Sequence, residues 1–117
     1  MALTVLRGPI IAAGESLSDG VDLQGGQLVR ITAPKVWGGN NISFQISSDG
    51  AEYNDLYTAD GNEVVIECKA GRAIVINWPT WWKAVPFLKI RAGSSEAPES
   101  QETEREFALA VWSEQSA

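Results

Sequence analysis

The chain contains no histidine among its 117 residues, and that absence removes the commonest general base, the commonest transition-metal ligand and the ordinary catalytic triads together. A zinc site would have to be built from a lone cysteine and carboxylates, a poor donor set for that ion. The single cysteine, Cys68, excludes an intramolecular disulfide, so the fold must be held by burial and is compatible with a reducing compartment. Within a strand-like run, Cys68 reads as a small buried hydrophobe rather than a reactive thiol. No apolar run approaches the ~20 residues needed to cross a bilayer as a helix, which leaves no membrane role in view. Lysine and arginine number 9 against 15 aspartates and glutamates, a formal net charge of -6. Such a surface repels phosphate backbones, and no basic stripe interleaved with aromatics offsets it, so direct nucleic-acid binding is not expected. The first twenty residues carry no cationic leader, and Arg7, Gly8 and Pro9 interrupt their apolar stretch; export by the general secretory route is not expected.

What the chain does contain is turn chemistry. Residues 42–61, ISFQISSDGAEYNDLYTADG, hold two Asp-Gly pairs between β-branched and aromatic runs, the strongest short-range signal for hairpins because glycine supplies the positive φ such turns demand. Further turns are marked at Gly25-Gly26, Gly38-Gly39, Gly71 and Gly93. Between them apolar residues recur at period two, and no window sustains helical spacing. Strands are expected over 3–6, 27–33, 42–48, 52–57, 63–68, 72–77, 87–92 and 106–112, with a short one around 10–17: about eight strands in all. The alternations place Ile42, Phe44 and Ile46 opposite Ser43, Gln45 and Ser47, and Leu88, Ile90 and Ala92 opposite Lys89 and Arg91. In 27–33, Leu28 falls on one face, with Val29, Ile31 and Ala33 on the other. Each strand then has one packed and one wet face, the pattern of an all-β, antiparallel β-sandwich of jelly-roll type. A chain of this length buries about two-thirds of its unfolded surface in one core, so residues 1–117 form one domain. Residues 1–13 are either an N-terminal arm that pairs with a neighbour's open edge or the first strand of the chain's own sheet. Residues 94–105, SSEAPESQETER, with four glutamates, form an exposed acidic loop between sheets.

Few residues point to chemistry. Asp49, Asp55 and Asp60 sit in or beside turns, where capping the backbone accounts for them better than paired-carboxylate catalysis. With Asp19 and Asp22 they are also the candidates for a hard cation such as calcium, but they lack the dense spacing of a dedicated loop. No enzyme activity, cofactor or metal is therefore expected. Arg7, Arg30, Arg72 and Arg91 read as face or rim charges. Trp78, Trp81 and Trp82 crowd the segment NWPTWWKAVPF, which serves either as a hydrophobic plug over the sandwich end or as a contact surface for a protein or a sugar ring. Trp37 reads as another loop-borne lid, and Ile10 and Ile11 as the apolar part of the N-terminal segment.

Two resemblances follow from these residues. FQISSDGAEYNDLY with the later PFLKIRAG resembles the hairpin and late strand of discoidin-like, galactose-binding-type jelly rolls, over about a quarter of the chain. The order SLSDGVDLQGGQLVRITAP, ISFQISSDGAEYNDLY, GNEVVIECKAGRAIVIN, PFLKIRAGSS and FALAVW, spanning residues 16–111, resembles small β-sandwich structural proteins of tailed bacteriophages. That second resemblance implies a non-enzymatic virion component assembled in the host cytoplasm, a capsid decoration protein or head-fibre base. It implies the major capsid protein or other virion proteins as partners and leaves homo-oligomerisation open. The alternative is a carbohydrate-binding or adhesion module using an exposed Trp loop. Partner or glycan contacts are expected from Trp37, Trp78, Trp81, Trp82, Ile10 and Ile11.

Overall fold

The computed structural model describes residues 2–76 and 85–113. Nine strands are present among the described residues: β1 (Ala2–Ile11), β2 (Val21–Asp22), β3 (Gln27–Thr32), β4 (Asn41–Ser47), β5 (Asn54–Asp55), β6 (Val65–Glu67), β7 (Ala73–Val75), β8 (Phe87–Ala92) and β9 (Arg105–Ser113). They form two antiparallel sheets, one ordered β1-β9-β3-β7 and the other β2-β8-β4-β5, with β6 also paired to β4. The protein is an all-β sandwich. β5 and β6 share one side of β4, pairing with its C-terminal and N-terminal halves respectively. The core lies between the sheets, where Phe44 and Phe107 are enclosed with Leu28, Ile31, Ile42, Leu88, Ile90 and Leu109.

Both Asp-Gly turns form, and Gly50 and Gly61 take the positive φ they require, 81° and 87°. The first is looser than a two-residue hairpin: Gln45 and Ile46 pair with Asp55 and Asn54, so residues 48–53 bow out of the sheet. Asp49 holds this bow, its Oδ1 accepting from the backbone N–H groups of Ala51 (2.8 Å) and Glu52 (3.1 Å). Those N–H groups, with the Ser47 hydroxyl, keep the Asp49 carboxyl below its ordinary 3.8.

Several expected alternations fail, each for a local reason. A bulge between Leu28 and Arg30 turns both Leu28 and Ile31 inward, against the strict period that separated them. A second bulge between Arg7 and Ile10 contains Gly8 (φ 117°) and Pro9. It lets one strand run through what the sequence marks as an interruption, because proline's missing donor is tolerated where the ladder is already broken. Consequently Ala2–Ile11 pairs with β9 along its length and forms an edge of the chain's own sheet. The outer face of β4 is largely covered, since Ser43 and Ser47 are buried and Gln45 is half-buried. Arg91, expected at the rim, is only 7% exposed, covered by the 94–95 segment and by acids from β5 and the adjoining turn. The acidic 94–105 segment exposes Glu96, Glu102 and Glu104, but it is stitched down by Gln101. Gln101 is buried and accepts from the Gly38 N–H at 3.1 Å and from Arg105 Nε at 2.9 Å.

Candidate functional site

The strand registers give the two outer faces of the sandwich opposite characters. On the β1-β9-β3-β7 sheet, residues facing away from the core line up as Leu3, Trp112 and Gln27 in one row and Val5, Ala110, Arg30 and Val75 in the next. Val75 is 78% exposed, Val5 55%, Leu3 53% and Trp112 37%, whereas Ala110 between them is buried and Arg30 half-buried. Arg7 and Glu106 border these rows in a loose 3.7 Å ion pair, and Glu106 is the only acidic residue in the four strands. Arg30 Nε is buried without a hydrogen-bond partner among the described residues.

The other sheet turns polar groups outward. Arg91 on β8 reaches across to Asp55 Oδ1 (2.5 Å), Glu63 Oε2 (3.4 Å) and Ser43 Oγ (3.2 Å). Gln45 Nε2 also donates to Asp55 Oδ1 at 3.1 Å. The Arg91 guanidinium, against the opposing cost of desolvation and with help from Gln45, holds the Asp55 carboxyl below 3.8. Glu63 is held in turn by the Ser95 N–H. Asp55 is therefore an ion-pair partner rather than a turn cap.

Two residues along β8 from Arg91, a cleft of about 500 Å³ opens between Asp19, Asp22, Tyr53, Phe87 and Lys89. Its size is within the range of small-molecule sites. The Asp49-capped bow carries Tyr53 over β8, where Lys89 Nζ stands 4.4 Å from the ring centroid. Phe87 packs against Gly50, and the Tyr53 hydroxyl approaches Gly20 so closely that a Cβ there would lie 2.2 Å from it. Burial, followed by the charges of Asp49, Asp19 and Asp22, raises the Tyr53 phenol above its ordinary 10. Each wall carboxylate is anchored by one oxygen: Asp19 Oδ1 accepts from the Ile10 N–H (2.8 Å), and Asp22 Oδ1 from the Gln24 N–H (2.7 Å).

The residues singled out in the sequence fare differently. Trp37 is a lid, half-buried against the core, its Nε1 donating to the Cys68 carbonyl (3.0 Å) and its ring meeting Phe107 edge-on at 5.4 Å. Ile11 is fully buried between the sheets and is not available to a partner, whereas Ile10 is half-buried. Trp78, Trp81 and Trp82 lie outside the described residues. Among the described residues no three of Cys, Asp and Glu gather in a group that could hold a metal ion. Sequence reasoning missed the Tyr53 cleft, the Arg91 cluster and the exposed row of Leu3, Val5, Val75 and Trp112. The only advance signal was odd composition: apolar residues on both faces of the first strand, and arginine inside an otherwise apolar one. No protein-family model, curated protein or solved structure matches the chain.

Proposed function

We propose that the protein is a non-enzymatic structural component of a virus particle, a decoration protein or head-fibre base that binds the outer surface of a phage head. The observation that carries this reading is the exposed apolar face of the β1-β9-β3-β7 sheet, with Leu3, Val5, Val75 and Trp112 in adjacent registers. Exposed apolar side chains in neighbouring positions suit an interaction site, because leaving them in water is unfavourable and burying them against a partner is not. The face also suits a partner electrostatically. Within its four strands, Arg7, Arg30 and the single Glu106 keep this face close to neutral. The occupant is the capsid lattice, which the resemblance to small phage structural proteins names. Binding across a junction between shell subunits stabilises the shell, since the junction cannot open without also breaking the decorator's contacts. A β-sandwich with a fully packed core suits that mechanical role.

Quantitative mass spectrometry of gradient-purified particles, scaled to the major capsid protein, tests the assignment. A copy number on the order of hundreds per particle supports lattice decoration, and a few to a few dozen supports vertices or head fibres. Absence from the particles overturns it. A Val5→Lys, Val75→Lys variant, altered only at exposed positions, should fold normally and lose particle occupancy.

A further inference from the structure

From the geometry of the cleft bounded by Asp19, Asp22, Tyr53, Phe87 and Lys89, we infer that it binds a neutral, polyhydroxylated ring, a hexopyranose unit of a glycan. The site does not depend on the virion assignment. Charge selects the ligand class. An anion entering the cleft meets Asp19 and Asp22, with Asp49 close enough to act on Tyr53. A cation meets the ammonium of Lys89, which already occupies the Tyr53 ring face that would receive it. A neutral polyol suffers neither repulsion and can use both signs. Its hydroxyls donate to carboxylate oxygens, and its own oxygens accept from the lysine.

The hydrogen-bonding capacity is already oriented. Asp19 and Asp22 each commit Oδ1 to a backbone N–H, which fixes the carboxylate plane and leaves Oδ2 as an acceptor with no partner among the described residues. Carboxylate acceptors form the stronger, charge-assisted class of bond to hydroxyl donors. Lys89 has no ion-pair partner among the described residues, which leaves its N–H groups able to donate to the ligand. Phe87, half-buried, supplies an apolar wall for the C–H face of the ring, and Tyr53 supplies a second edge. Gly20 and Gly50 are integral to this shape, because a Cβ at Gly20 would collide with the Tyr53 hydroxyl and one at Gly50 would press on Phe87 at 3.3 Å.

Amide chemical shifts of the intact chain, titrated with methyl glucoside, methyl mannoside and methyl galactoside, test the inference. Expected is a saturable shift with at least one glycoside, millimolar in strength, centred on Gly20, Gly50, Tyr53 and Lys89. Asp19→Asn with Asp22→Asn keeps both backbone bonds but turns each free acceptor into a donor, and should weaken that glycoside about tenfold while leaving the melting temperature in place. Lys89→Met should weaken it as well. The inference is overturned if none of the three glycosides gives saturable shifts at these residues. It is equally overturned if the double asparagine variant binds as tightly as the parent, or if inorganic phosphate or lysine methyl ester saturates the same amides in place of the sugars. The wild-type shift map decides the location even if a variant fails to fold.

Discussion

Replacing Arg91 with methionine removes the guanidinium while keeping most of the buried stem, and should destabilise the sandwich by about 3 kcal/mol. The figure follows from what is left behind. Glu63 (12% side-chain exposure) and Asp55 (33%) would face each other across Ser43 with no cation between them. Stripping one partner from a fully buried ion pair costs about 3–5 kcal/mol, and water reaching Asp55 places this cluster at the lower end. In a domain of this size the loss corresponds to a drop of about 10 °C in Tm. Urea unfolding followed by tryptophan fluorescence measures it, and Asp55→Asn with the double variant closes a cycle in which about 1–2 kcal/mol of coupling is expected. The pH dependence has a definite sign. Asp55 is held below its unfolded value of 3.8, so its contribution is complete above that pH and is lost as the pH falls through the lower folded value. The gap between wild type and Arg91→Met should therefore narrow as the pH is lowered from neutrality to below Asp55's folded value. The Asp49 contribution, which has the same sign, is common to both proteins and cancels. An Arg91→Met variant within about 0.5 kcal/mol of wild type, or a gap that does not change with acidification, would show that the cluster is merely a set of surface charges.

Gly93→Ala should lose at least about 2 kcal/mol, because Gly93 sits at φ 85° and an added Cβ would lie 2.3 Å from the Ala97 carbonyl oxygen; equal urea midpoints would refute this. Trp37→Phe keeps the contact with Phe107 but leaves the Cys68 carbonyl without its indole donor, a loss of about 1 kcal/mol readable by the same assay. Cys68 is fully buried and its thiol is pushed up to about 11, so a disulfide reagent at pH 8 should label the folded chain only as fast as it unfolds. Rapid stoichiometric labelling would contradict the burial. The same raised value makes stability fall as the pH climbs from about 9 toward 11, since the unfolded thiol releases its proton first. A Cys68→Ala variant should lose that part of the alkaline decline.

Local rules carried much of the fold. The alternation over β8 identified Leu88, Ile90 and Ala92, all of which are buried, and the glycines after Asp49 and Asp60 adopt the positive φ that marked them as turns. The rules failed where a non-local neighbour changed the meaning of a position. Arg91 occupies a strand position that alternation assigns to water, and the arrival of Asp55 from β5 and Glu63 from the segment after it makes it interior. Val29 and Gly8 break the period through bulges, which shift every later side chain to the opposite face without any composition change large enough to announce them. The cleft was illegible for a similar reason. Its walls come from three separate stretches, residues 19–22, 50–53 and 87–89, and no spacing within any one of them implies the other two.

The two outer faces also constrain each other. They belong to opposite sheets of one sandwich, so a molecule seated through Leu3, Val5, Val75 and Trp112 turns Phe87, Lys89 and the cleft carboxylates away from its support. Docking and ligand capture can then proceed without competing for surface. Many copies fixed on a shell would convert millimolar single-site affinity into avidity, because each further contact forms at an effective concentration set by the lattice rather than by the solution. A weak sugar site is of little use on a free monomer and of considerable use on a repeating surface. Particles decorated with the chain should therefore be retained on a column bearing the bound hexose, and particles carrying Asp19→Asn with Asp22→Asn should pass through although their decoration is complete. Equal retention of both would separate adhesion from the cleft and refute its part in capture.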